Sequence, residues 1–368
     1  MTEGHLAAAA DAGRDSFVSN GGRTPFGIDS VRSGAGQVEV KAQDLWAGDF
    51  GVLTGFSAGA GSRRVLLVAP LAGAHPLLLR DLVVGLLPEA DVMITDWRES
   101  FYIPVSCGAF GLADNIAYVV EMLRAAGPDT HVVGVCQGTV TALAATALLS
   151  ELDESAAPRT LTLIAGPIDP LANPTRVVQA TRSHAPEWFH RHALCTVPGG
   201  FPGAGRLIYP SSMQLATFSG YLARHWGSGE IFWKLLCDDG ADPLHYPFLR
   251  MVTQLMNLPA ELVLDTVQSI FVDRLLQAGT LTACGKAVTP GAIRRTALMT
   301  VEGEEDDIAA PGQTLAAHDL CTGVPSEARR HLRVPRCGHF GLFHGARLRS
   351  TVLPAMLSFF RDADDAVH

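Results

Sequence analysis

The sequence predicts an α/β fold: a mostly parallel sheet with helices on both faces, broken by one long, largely helical insertion. Three observations predict it. Short apolar runs alternate with stretches of helical spacing from about residue 65 to residue 165. The alternation stops near Pro167 and resumes at Ala297. A Gly-x-Cys-x-Gly turn joins one apolar run directly to an Ala/Leu-rich helix.

The elements follow in order. Residues 1–25 read as a flexible leader of Ala, Gly, Ser and Asp, and residues 26–368 as a single domain. Residues 38–56 alternate loosely and predict antiparallel edge strands around a turn near Ala47 and Gly48. Residues 65–70 are a short buried strand, 75–87 have helical spacing, and 91–97 are a second strand. Residues 112–126 form an amphipathic helix with Ile116, Val119, Val120 and Leu123 on one face. Residues 130–136 are the third strand, 139–152 an Ala/Leu helix and 160–165 the fourth strand. Repeated β-α order with short apolar strands implies a parallel sheet covered on both faces. Residues 168–293 read as mostly helical, with dispersed aromatics. After them come a strand at 297–302, a helix carrying His318, a last strand at 331–334 and a closing helix at 348–361. An insertion at that point lies over the strand C-termini, where sites form in such sheets, so 168–293 is expected to be a lid or cap, with a second domain carrying its own core as the alternative.

Composition narrows the function. The chain is 48% hydrophobic and 18% charged, with a formal net charge of −9, as in an ordinary globular enzyme. It lacks the clustered Lys and Arg that phosphate backbones or anionic membranes require. Seven cysteines, at 107, 136, 195, 237, 284, 321 and 337, are odd in number and contain no Cys-x-x-Cys pair. A disulfide framework and a structural zinc site are therefore not expected. No His/carboxylate cluster has metal spacing, and no P-loop or Gly-x-Gly-x-x-Gly opens a helix, so neither a metal nor a cofactor is expected. The N-terminus, MTEGHLAAAADAGRD, has no basic region followed by a strong apolar core. No stretch is apolar enough to span a bilayer. The cytoplasm is the expected location, and a homo-oligomer stays open.

The chemistry centres on Gly134-Val-Cys136-Gln137-Gly138. A nucleophile elbow has this form, G-x-S-x-G between strand and helix, here with Cys in the serine position. The glycines let strand and helix pass closely around a strained turn. The helix N-terminus presents unpaired N–H groups and a partial positive charge, which stabilises a thiolate. The Gln137 N–H is expected to supply half of an oxyanion hole. The other half is expected from the loop Pro70-Leu-Ala-Gly-Ala-His75, through Leu71 or Ala72. His75 in that loop is a candidate substrate contact or a packed loop histidine. The elbow predicts an α/β-hydrolase, in which acid and histidine follow the nucleophile in the chain. Glu304-Glu-Asp306-Asp307 follows the strand at 297–302 and supplies the acid; Asp306 is favoured, with Asp307 open and Asp169 a weaker rival. Cys337-Gly-His339-Phe-Gly341 follows the last strand and supplies the base, ahead of His318 and His344.

The stretches GVCQGTVTALAATALL, LTLIAGPIDPLANPT, LPAELVLDTV, ALMTVEGEEDDIAAPGQTLAAHDLC and RCGHFG together resemble the intracellular poly(3-hydroxybutyrate) depolymerases. The likeness runs from about Thr24 to the C-terminus, and more distantly it extends to polyhydroxyalkanoate synthases. It implies a cysteine nucleophile at Cys136, an aspartate at the Asp306–Asp307 pair and a histidine at His339. The substrate it implies is a water-insoluble polyhydroxyalkanoate granule, cleaved through a thioester on Cys136. Aromatics of the insertion, Phe189 among them and above all Trp188, Trp226 and Trp233, are then candidate contacts with the polymer surface or lining of a chain tunnel. The competing readings are a general carboxylesterase with a cysteine nucleophile, a synthase, and a granule-binding protein without turnover.

Overall fold

The computed structural model describes residues 23–34, 36–59, 63–152, 154–184, 186–214 and 254–366. Most of the predicted leader, and Trp226 and Trp233, lie outside them.

Two antiparallel pairs come first: β1 (Ser30–Ser33) with β2 (Gly36–Glu39), and β3 (Lys41–Ala47) with β4 (Gly51–Ser57). The β3–β4 turn closes through Gly48 N–H to the Gly51 carbonyl, where the alternation predicted it. The β1–β2 pair is a hairpin of two four-residue strands that the alternation did not signal. Then come β5 (Arg64–Val68), α1 (Arg80–Leu86), β6 (Asp91–Trp97), α2 (Leu112–Ala126), β7 (His131–Val135), α3 (Gly138–Leu152) and β8 (Thr160–Ile164). All four strands are almost wholly buried, which is why they read as continuous apolar runs.

The excursion after β8 carries α4 (Arg176–Arg182), α5 (Pro186–His192), β9 (Cys195–Thr196), β10 (Leu207–Tyr209), β11 (Leu258–Pro259) and α6 (Ala260–Thr266). A π-helical turn, Val267–Val272, continues α6, and the two-residue strands β12 (Thr282–Ala283) and β13 (Lys286–Ala287) pair before the main sheet resumes. Strands β9, β10 and β11 make a small antiparallel patch; runs of two or three residues are too short to display a period of two. The chain then returns with β14 (Ala297–Gly303), α7 (Ala317–Leu320), β15 (Arg329–Val334) and α8 (Leu353–Asp365).

The main sheet has eight strands in the order β15-β14-β8-β7-β5-β6-β4-β3. Its first six are parallel; β4 runs antiparallel to β6, and β3 to β4. β8 pairs directly with β14, Thr160 opposite Ala297, so the whole excursion leaves and re-enters between neighbouring strands. Side-chain alternation along β7 places the helices. Gly134 meets Thr139 and Ala142 of α3, whereas His131, of opposite parity, stacks on Phe360 of α8. Successive side chains point to opposite faces, so α3 and α8 cover opposite sides. The strand order reverses between β5 and β7, and the loops leaving these strands border the crevice at that switch point.

Candidate active site

The elbow sits at that crevice. Cys136 has φ of +53°, a conformation rare outside glycine and stored at functional turns. Surrounding bonds impose it: its N–H donates to the Ile164 carbonyl at 2.9 Å, and its own carbonyl accepts from Thr139 N–H at 3.1 Å and Thr139 Oγ1 at 2.7 Å. The two glycines are sterically required. A Cβ at Gly134 would lie 2.8 Å from the Gly138 carbonyl oxygen and 2.9 Å from the Ala142 Cβ, and one at Gly138 would collide with the Val68 carbonyl at the end of β5.

Acid and histidine come from the loops leaving β14 and β15. Backbone bonds stitch these loops together: Glu304 N–H to the Val334 carbonyl at 2.9 Å, and Glu305 N–H to the Cys337 carbonyl at 3.0 Å. The turn that follows aims Asp306 inward. Its Oδ1 accepts the N–H groups of Ile308 (2.9 Å) and Ala309 (2.8 Å), and its Oδ2 lies 2.8 Å from His339 Nδ1. Both side chains are almost completely buried. With Nδ1 on the carboxylate, Nε2 is the ring nitrogen left for Cys136, which lies within hydrogen-bonding reach. Burial works against an imidazolium here. The Asp306 carboxylate and then Cys136 outweigh it and hold the His339 proton well above the ordinary imidazole range.

The rival residues are engaged elsewhere. Asp169 receives a fork from Arg274, at 3.1 and 2.6 Å, and so ties the excursion to the loop after β8. His318 bonds Thr300 at 2.9 Å, and His344 faces Asp81 at 3.5 Å. His75 is buried beside the β5 loop, where its Nδ1 accepts Leu77 N–H at 3.1 Å. Burial, helped by the charge of Arg23, pushes its pKa down to about 3. It is a packed neutral histidine and is not on the cavity wall.

A cavity of about 360 Å³ opens over Cys136 and His339, within the range for small-ligand sites. Leu71, Ala72 and Gln137 line it on the elbow side, and Ile308 and Ala309 beside the acid. Among the described residues, no backbone carbonyl takes the N–H of Leu71, Ala72 or Gln137. The far wall is apolar and comes from the excursion: Leu258, Leu262 and Thr266 around α6, Val267 and Phe271 of the π-helical turn, and Phe189 of α5. A π-helical turn often marks a functional site. Of this wall the sequence offered Phe189 as a candidate polymer contact; the residues of α6 and the π-helical turn were not assigned, and the apolar spacing of LPAELVLDTV was their one signal. Trp188 packs between His184 (4.0 Å) and His192 (5.3 Å) and does not line the cavity, whereas its neighbour Phe189 does. Successive helix positions point about 100° apart, so one residue of that pair faces in and the other away.

A family model described as PHB de-polymerase C-terminus matches residues 165–364, more than half of the chain. No curated protein matches it. Among solved structures, a hydrolase from Pseudomonas aeruginosa superposes with a TM-score of 0.50 at 15% identity, covering 89% of this chain and 99% of its own. A hypothetical protein from Pseudomonas aeruginosa gives 0.50 at 11%, with 92% and 96% covered. DcsB, in complex with its substrate analogue, gives 0.50 at 12%, with 88% and 99% covered. At these identities the likeness is one of fold, the α/β-hydrolase fold.

Proposed function

Because the chain belongs to the PHB depolymerase family, and with it to the ester hydrolases, we propose that it cleaves poly(3-hydroxybutyrate) by way of a thioester on Cys136. The observation that carries this reading is the alignment of Asp306, His339 and Cys136, with the histidine and the cysteine on the wall of an apolar cavity and the aspartate buried behind them.

The steps follow from the geometry. His339 Nε2 takes the proton of Cys136, or already holds it, with Asp306 fixing the other ring proton on Nδ1. The Cys136 sulfur attacks the ester carbonyl carbon, and the carbonyl electron pair moves to oxygen. That oxyanion lies beside the N–H groups of Gln137 and of Leu71 or Ala72. The carbon–oxygen bond breaks, and the departing alkoxide takes the proton from His339 Nε2. A 3-hydroxyacyl thioester remains. His339 then removes a proton from water, whose oxygen attacks the thioester carbon; the carbon–sulfur bond breaks and the acid leaves. Residues 168–293 act as the lid, and their apolar wall receives the polyester segment. The place of action is the surface of a storage granule inside the cell. Among the described residues no helix is long and apolar enough to cross a membrane, and no group of three or more metal-ligating side chains occurs.

The test is acid release from amorphous poly(3-hydroxybutyrate) granules, wild type beside Cys136→Ala. Release by the wild type alone is expected. Hydrolysis of short soluble esters with no release from granules replaces the polymer with a general carboxylesterase substrate. Equal release by both proteins refutes the cysteine mechanism.

A further inference from the structure

The oxyanion loop does not stand alone. Gly73 carbonyl accepts the Met256 N–H at 2.7 Å, His75 N–H donates to the Gln254 carbonyl at 2.9 Å, and Ala74 pairs with Leu255 in an antiparallel bridge. One edge of the loop is thus a short ladder with the excursion. Behind that ladder lies Gln214, only 9% exposed. Its Nε2 donates to the Met256 carbonyl at 2.8 Å, which fixes the amide orientation, because a flipped amide would set two oxygens against each other. Its Oε1 is buried without a hydrogen-bond partner among the described residues, a costly arrangement for an acceptor. The carboxamide fills the space that a Cβ would occupy at Gly73, whose φ is +108°. Gly73 directly follows Leu71 and Ala72, whose N–H groups are without a backbone acceptor among the described residues.

We propose that Gln214 is a positioning residue for the oxyanion loop: packed against Gly73 and bonded to Met256, it fixes the direction of the Leu71 and Ala72 N–H groups. This rests on the cysteine ester-hydrolase reading above and adds to it the device that holds half of the oxyanion hole. Without the carboxamide, the Gly73 peptide is free to rotate into the vacated space. The N–H groups then miss the oxygen that becomes negative, while substrate still enters the apolar cavity.

The full-length enzyme tests this with a soluble ester such as p-nitrophenyl butyrate and two probes of Cys136. A trifluoromethyl ketone accepts the sulfur at its carbonyl carbon and places the resulting oxyanion in the hole. Iodoacetamide alkylates the same sulfur by displacing iodide, with no oxyanion formed. Gln214→Ala is expected to lower kcat by about 10- to 100-fold, somewhat less than outright removal of a donor, with KM changed by less than about threefold. Ketone affinity should fall by a similar factor and the alkylation rate stay within about twofold. Gln214→Met keeps the volume against Gly73, guards against a folding failure, and should recover part of the loss. Ketone affinity and kcat both within about twofold of wild type in Gln214→Ala would overturn the proposal, as would an alkylation rate that falls in step with turnover. Cys136→Ala runs alongside: undiminished turnover there defeats the nucleophile reading, while the Gln214 effect on kcat still reports on the loop.

Discussion

Asp306→Asn separates the two adjacent carboxylates that the sequence leaves open. The substitution keeps the side-chain shape, and Asn Oδ1 can still accept the Ile308 and Ala309 N–H groups at 2.9 and 2.8 Å, so the turn survives. What changes is the 2.8 Å contact with His339 Nδ1. There a buried charge-assisted bond, worth about 1.5–3 kcal/mol, becomes a neutral one or a clash of two N–H donors. At about 1.4 kcal/mol per decade, that bond alone represents about 10- to 100-fold in rate. The amide also favours the ring tautomer with its proton on Nε2, facing Cys136, and in serine triads this trap takes the loss to about 10⁴-fold. The expected fall in kcat is therefore about 10²- to 10⁴-fold. The assay is initial-rate ester hydrolysis, with iodoacetamide alkylation of Cys136 followed against pH. On the proposed mechanism alkylation should be slower in Asp306→Asn, because His339 has lost the carboxylate that favours its taking the Cys136 proton. Asp307→Asn should stay within about threefold of wild type. Equal losses in both variants, or a small loss in Asp306→Asn, would refute the reasoning.

Three further predictions rest on separate features. Gly138→Ala drives a methyl into the Val68 carbonyl, well inside the 3.0 Å that real Cβ contacts respect; it should cost about 1–3 kcal/mol by urea unfolding and about 10²-fold in turnover as elbow and oxyanion loop separate. Phe189→Ala removes part of the cavity wall and should raise KM for longer esters, whereas Trp188→Ala, off the wall, should leave KM unchanged. His75 and His131 titrate at about 3 and about 4 because burial disfavours their cations, so below the ordinary value near 6.5 the unfolded chain takes up two protons that the native state does not. Asp96, raised to about 6 by burial, works the other way. These three groups together should lower stability by about 1.4 kcal/mol per pH unit between pH 6 and 4, and His131→Asn should remove most of that slope; an unchanged slope contradicts the assignment.

Much of this was legible in the chain because it is written locally. The strand at Asp91–Trp97 is a short, almost wholly buried run, and the helix at Leu112–Ala126 carries its apolar period undiluted. The elbow announces itself because its two glycines bracket the cysteine at fixed spacing between a strand and a helix, although only Gly134 is demanded by contacts within or next to the motif and Gly138 by Val68 of β5, and His339 is flagged by flanking glycines and by its place after the last strand. What escaped depends on distant partners. Asp306 and Asp307 are chemically equal in sequence, and a turn closed by Ile308 and Ala309 N–H groups decides between them. Trp188 and Phe189 are neighbouring aromatics alike in sequence, and only the fold shows that Phe189 lines the cavity while Trp188 packs between two histidines. Gln214 gave no signal, since its meaning comes wholly from Gly73 and Met256, on segments far from it in the chain.

The direct pairing of β8 with β14 bears on how this enzyme comes into being. Cys136 and the β5 loop can meet as soon as the first 165 residues have folded, because β5, β7 and β8 are nearest neighbours. Asp306 and His339 cannot join them until β14 has returned to β8. Long-range pairing of that kind is the slow part of folding, although the closure entropy grows only with the logarithm of the intervening length. Ester turnover should consequently be the last property to return on refolding, after secondary structure and after burial of the first strands. The excursion can lengthen, shorten or change its wall at little cost to the sheet, and new substrate ranges can be tried on a scaffold whose strand register never senses the difference.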